Sequence, residues 1–166
     1  MGWLSLKVCL MFSFYWKSKY SVGVSELDEQ HHAIMDRLNE LHEEMMNGKV
    51  NDAVAPLIGS LVSLAAEHFA TEERLMESTG FPGHAGHCAK HREVSRRVAE
   101  FIARHDHGDK AAYSQFMYFL RGAIIRHILK EDRQYVSWFA EHPIHNFGSP
   151  RDLKAAAPLS STGLRS

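Results

Sequence analysis

The sequence predicts an all-α protein: an up-down-up-down antiparallel four-helix bundle with a short N-terminal extension and a flexible C-terminal tail. Three observations lead there. Four successive runs place apolar residues at helical spacing, and the stretches between the runs are short, which makes neighbouring helices antiparallel. No segment shows sustained two-residue alternation bounded by turn signals, so strands are not expected. The 166 residues give room for one domain with a real core, 45% of them hydrophobic and 23% charged. A net charge of −1 offers no basic stripe to nucleic acid. The two cysteines, Cys9 and Cys88, are too few for a disulfide framework and favour a reducing compartment such as the cytoplasm.

The expected division is an extension over 1–15, a bundle over 16–142 and a tail over 143–166. Within the extension, the apolar run from Val8 to Trp16 is broken only by Ser13. It falls short of the roughly 20 residues a bilayer span needs. No small-x-small cleavage site follows it, so it reads as a packing extension or an over-long start of the gene rather than a leader, and no membrane contact is expected. The tail turns to Pro, Gly, Ser and Ala after Pro143 and lacks the apolar surface to order itself.

The first helix is announced by Ser25 and Asp28, spaced like a capping box. It carries His31, Ile34, Leu38, Leu41 and Met45 on one stripe and closes at Asn47-Gly48. The second starts near Pro56, with Leu61, Leu64, Ala65, His68, Glu72 and Leu75 on one face, and stops at Thr79-Gly80 before Pro82. The third aligns His87, His91, Val94, Val98 and Ile102 and ends at His107-Gly108-Asp109. The fourth runs from about Ala111 to Ala140, with Phe116, Leu120, Ile124, His127, Ile128 and Tyr135 inward. Helices of this length would each span about 30–40 Å at 1.5 Å rise per residue.

Polar residues interrupt every one of these apolar stripes. One histidine on a core face is ordinarily a hydrogen-bonded interior residue. Here His31, His68 with Glu72, His87 with His91, and His127 all face the axis. Asp132 flanks the seam, about 140° from His127 by the 100° per residue rule of a regular helix, and is expected to reach in with its side chain. Burying five imidazoles and two carboxylates without a cation would cost many kcal/mol. A metal centre removes that cost. Seven ligands exceed the four of a structural zinc site, which implies two ions bridged by carboxylates. The i, i+4 spacing of His68 with Glu72 and of His87 with His91 stacks each pair on one helical face.

The remaining histidines receive plainer readings. His84 stands just after Pro82 and Gly83, where the helix begins, and reads as a solvent-facing or capping residue. Cys88 lies 100° from His87 and reads as small packing. His32 should face outward. His42, His105, His107, His142 and His145 are assigned to helix flanks or loops, without a functional role.

Together these residues resemble the hemerythrin family, specifically the single-domain bacteriohemerythrins. The resemblance runs from Trp16 to Tyr135. It includes W-x3-YSVGV, LDEQHH around His31, EHFATEERLM around His68 and Glu72, GFP-x4-H-x3-H through His87 and His91, and HILKED-x2-Y from His127. It implies two irons per chain. His87, His91 and His127 would fill one iron, and His31 and His68 would hold the other with a position left open. Glu72 and Asp132 would bridge the pair, together with a solvent-derived oxo or hydroxo group. Dioxygen is then the expected partner, bound reversibly for transport, storage or scavenging, in a pocket walled by Ile34, Phe69, Ala123 and Ile128.

The imidazole-rich ligand set leaves the oxidised centre net positive and disfavours higher oxidation states. Oxygen-activating bundles use four carboxylates and two Glu-x-x-His motifs, whereas this chain has one, Glu29 to His32, facing outward. An enzyme is therefore not expected. The alternative is an oxygen or redox sensor acting through a partner protein whose identity the sequence does not give. Two departures from the family pattern bear on the pocket. Ala123 stands where a tryptophan is common, and Lys130 where a bulkier or apolar residue is frequent. A roomier pocket is expected, or one refilled by Ile124, Ile125 or the extension, with Lys130 drawing in water.

Overall fold

The computed structural model describes residues 14–46, 54–106 and 110–142. Its helices are α1 (Ser25–Met46), α2 (Val54–Thr79), α3 (His84–Asp106) and α4 (Lys110–Arg126), which continues through a π turn (His127–Glu131) into α5 (Arg133–Glu141). The last three pieces form the fourth helix of an all-α bundle, and the described residues include no strand. The expected stops at Asn47-Gly48 and His107-Gly108-Asp109, the tail over 143–166, Cys9 and His145 all lie outside the described residues.

Local chemistry sets the helix ends. Asp28 does not pair with Ser25 as a capping box would. Its carboxylate reaches back to accept the Val22 N–H at 2.8 Å and the Ser21 hydroxyl at 2.6 Å, tying the incoming chain to the first turn of α1. Gly23, at φ 80°, makes the bend that permits this. At the end of α2 the Phe81 N–H donates to the Met76 carbonyl (2.8 Å) and the Gly80 N–H to that of Glu77 (3.1 Å). This is a Schellman cap, and Gly80 supplies its left-handed residue at φ 67°. Upstream of α1, Phe14 and Asn39 exchange two hydrogen bonds, 2.7 and 2.9 Å, so the chain is anchored to α1 from Phe14 onward.

Two larger apolar clusters fill the bundle, one toward each end, beside a smaller third made of Tyr20, Met35 and Ile128. Ile34, Leu38, Leu41, Val54, Ile58, Leu61, Phe116 and Leu120 form the first. Val22, Leu27, Leu75, Met76, Tyr135 and Phe139 form the second. Each fully buried Leu or Ile contributes about 1.5–3 kcal/mol relative to exposure. On α1, α2 and the fourth helix the polar residues of the core stripe fall between these two clusters, so apolar layers clamp them from above and below; on α3 His87 and His91 precede Val98, Phe101 and Ile102, which pack on the first cluster. α2 is, among the described residues, long and apolar enough to cross a membrane by length and composition. Its apolar residues Val54, Ile58, Leu61, Leu75 and Met76 are buried in the two clusters, and it carries His68 and Glu72 into the interior.

The fourth helix departs from the regular geometry expected of it. The Asp132 N–H donates to the His127 carbonyl, five residues back, at 3.0 Å. A π turn takes more residues per turn than an α turn, so residue i+5 stands over residue i. Asp132 therefore lies on the same face as His127 and not at the flank of the seam, and it is fully buried.

Candidate metal centre

Midway along the bundle His31, His68, Glu72, His87, His91, His127 and Asp132 converge, all of them buried. One ligand-type atom from each of Glu72, His87, His91 and His127 lies within 4.8 Å of the others, and the same holds for His31, His68, Glu72 and Asp132. Glu72 belongs to both groups. Its Oε2 is 3.0 Å from His91 Nε2, 3.4 Å from those of His87 and His127, and 3.5 Å from His68 Nε2. Asp132 spans the groups with its two oxygens. Oδ1 lies 3.1 Å from His127 Nε2 and 3.6 Å from His87 Nε2, while Oδ2 lies 3.3 Å from His31 Nε2.

Neighbouring side chains orient the imidazoles. Glu73 accepts from His91 Nδ1 at 2.8 Å, and Gln30 Oε1 accepts from His68 Nδ1 at 3.2 Å. Gln30 is itself held by its amide donating to Thr71 Oγ1, whose hydroxyl donates to the Glu67 carbonyl. With the proton on Nδ1, each ring turns an Nε2 lone pair inward. Phe69 stacks on the His91 ring at 3.9 Å and fixes its plane. Tyr135 donates its hydroxyl to Glu72 Oε1, leaving Oε2 to face the histidines.

These donors fit a metal. His91 Nε2 stands 3.0 Å from His127 Nε2, where two lone pairs would repel unless a proton or a cation lies between them. Among the buried atoms without a hydrogen-bond partner are Nε2 of His31, His68 and His87 and both carboxylate oxygens of Asp132. Leaving such groups unsatisfied costs about 1–3 kcal/mol each, and more where they are charged. Without a metal the groups distort each other. Burial drives the His68 imidazole down to about 3. Burial and the nearby Glu72 raise the Asp132 carboxyl. Burial lowers His127, but its contacts with Glu72 and Asp132 outweigh that and raise it. One shared electrostatic site, rather than separate buried groups, produces this pattern.

A cavity of about 310 Å³ abuts the centre. His31, His68 and His127 form its inner wall, and Ile34, Phe69, Ala123 and Ile128 line it as well. His87, His91, Glu72 and Asp132 do not. Lys130 is exposed and takes no part in the lining, so the expectation that it would draw in water is corrected; the wall around Ala123 is apolar. Ile124 lines the cavity, while Ile125 packs toward Tyr20, Met35 and Ile128 instead.

Other residues singled out from the sequence stay out of the centre. His84 opens α3 half-buried, Cys88 is a buried free thiol, and exposed His32 stacks on Trp16 at 3.8 Å. His42 sits buried inside α1 rather than at a flank, and His105 stands at the C-terminal end of α3, the flank expected of it. His142 ends α5 stacked on Trp138. Gln30 and Glu73 were not anticipated. Each adjoins an inward residue in sequence, His31 and Glu72, yet each serves a histidine on a different helix, which only the packing reveals.

The sequence profile described as "Hemerythrin HHE cation binding domain" matches residues 22–139. The bacteriohemerythrin of Stenotrophomonas maltophilia is 31% identical over 127 residues, covering 76% of this chain and 82% of the relative. That of Pseudomonas aeruginosa is 32% identical over 126 residues, covering 76% and 81%. A myohemerythrin from Riftia pachyptila is 28% identical over 104 residues, 63% of this chain and 81% of its own. With a buried His and carboxylate cluster of non-heme iron type at its centre, the chain belongs to the hemerythrin family.

Proposed function

We propose that this chain binds dioxygen reversibly at a carboxylate-bridged diiron centre. His87, His91 and His127 would hold one iron and His31 and His68 the other, with Glu72 and Asp132 shared between them, and the pair would supply the two electrons for reversible oxygen binding. The carrying observation is the uneven lining of the cavity, which takes in His31 and His68, both histidines of one iron, but only His127 of the three assigned to the other, while His87 and His91 stay behind it. A small molecule arriving through that space meets the two-histidine side, the side with fewer protein donors.

The surrounding residues favour holding over turnover. Glu73 and Gln30 keep the imidazoles of His91 and His68 in one tautomer, so those ligands neither rotate nor shuttle protons. Ile34, Phe69 and Ile128 set apolar side chains beside the histidines at the inner end of the cavity, and no Asp, Glu, Lys or Arg lines it to deliver a proton. Five imidazoles against two carboxylates likewise suit reversible binding better than bond cleavage.

The test is optical. Iron-loaded protein is reduced anaerobically, exposed to oxygen and then purged with inert gas. A visible absorption band that appears with oxygen and disappears on purging, over repeated cycles, is expected. A single irreversible oxidation with no reversible band would overturn the reading.

A further inference from the structure

We propose that the cavity beside the centre binds a small uncharged hydrocarbon, a ring or short chain up to about twice the size of benzene. The space is far larger than a diatomic requires. A water molecule takes about 30 Å³ of liquid volume, and the cavity holds about 310 Å³. An engineered cavity of about 150 Å³ lined by Leu, Ile and Phe stays dry and takes up benzene. The lining here is of the same apolar kind over most of its surface and larger in scale, with His31, His68 and His127 at the inner end and Ser95 at the mouth.

Ala123 leaves the inner part wide, and Leu61, Val98 and Phe116 continue the apolar wall outward. The lining residues Val62 and Ser95 are exposed, so the cavity reaches the surface between α2 and α3. No Asp, Glu, Lys or Arg lines it. A charged ligand would lose its hydration without a partner, whereas a hydrocarbon gains about 25 cal/mol for each Å² removed from water. An occupant at the inner end lies against His31 and His68, so it competes with small gases for the same approach. The proposal rests on the oxygen-binding reading only for that competition; the apolar space exists independently of the metal's identity.

The probe is benzene, titrated calorimetrically into iron-loaded, air-oxidised protein, with benzoate as the charged counterpart. Saturable binding of benzene, with benzoate binding at least tenfold more weakly, is expected. Val98→Phe, which fills the middle of the cavity away from the metal ligands, should weaken benzene at least tenfold while iron content stays unchanged. Ala65→Leu gives a second, smaller filling variant should Val98→Phe not fold. Absence of saturable binding to the iron-loaded protein overturns the proposal. So does equal affinity in the filled variant, or equal affinity for benzoate. The two readings fail separately. Protein that binds benzene but shows no reversible oxygen band leaves this proposal standing, and a reversible band without benzene binding removes only this one.

Discussion

Tyr135 shows how single residues prepare the centre. Its ring is fully buried in the apolar cluster beside the metal site, and its hydroxyl donates to Glu72 Oε1. Burial and the carboxylates of Glu72 and Asp132 push the phenol well above its ordinary range, so it remains a donor at every physiological pH. Tyr135→Phe keeps the ring and removes the donor, leaving one oxygen of a buried carboxylate without its partner. A hydrogen bond to a charged group contributes about 1.5–3 kcal/mol, and an outer partner of a metal ligand typically carries 10–100-fold in affinity. Tyr135→Phe should therefore lower stability to chemical denaturant by about that energy and lose iron to a chelator 10–100-fold more readily. Unchanged values in both measurements would show that the hydroxyl is dispensable.

At the scale of elements, the π turn His127–Glu131 decides whether Asp132 reaches the centre. An extra alanine after Lys130 would rotate Asp132 by about 100° and take its carboxylate off the shared face. Iron retention should then fall sharply while far-ultraviolet helicity is kept. An insertion variant with full iron content would mean that Asp132 is not required. The same turn marks the limit of what the sequence made legible. His31, His68, Glu72, His87 and His91 lie on regular helices and His127 directly follows one, so a 3.6-residue period brings them to the core stripe, and the structure buries each of them. Asp132 fits no such period, because a wide turn leaves no mark in residue spacing. The placement of Glu73 and Gln30 against histidines of other helices depends on the register between helices, which one chain's periodicity does not encode. Lys130 was misjudged for a related reason. It follows His127 closely in sequence, but the turn carries it to the surface, away from the cavity.

For the molecule as a whole, two apolar clusters clamp a polar layer that is costly to bury unless a metal completes it. Atoms of His31, His68, His87 and Asp132 lack hydrogen-bond partners, so a metal bound by them would share one free energy with folding. The central claim is that this layer holds two irons on seven side chains. Its most direct test is a count. The protein is loaded anaerobically with ferrous iron in the presence of competing zinc, freed of unbound metal, and analysed for each element beside His127→Ala. The account predicts about two irons per chain in the native protein, a thermal midpoint that drops markedly when they are stripped, and loss of iron in His127→Ala. One zinc per chain, retained equally in His127→Ala, would contradict it.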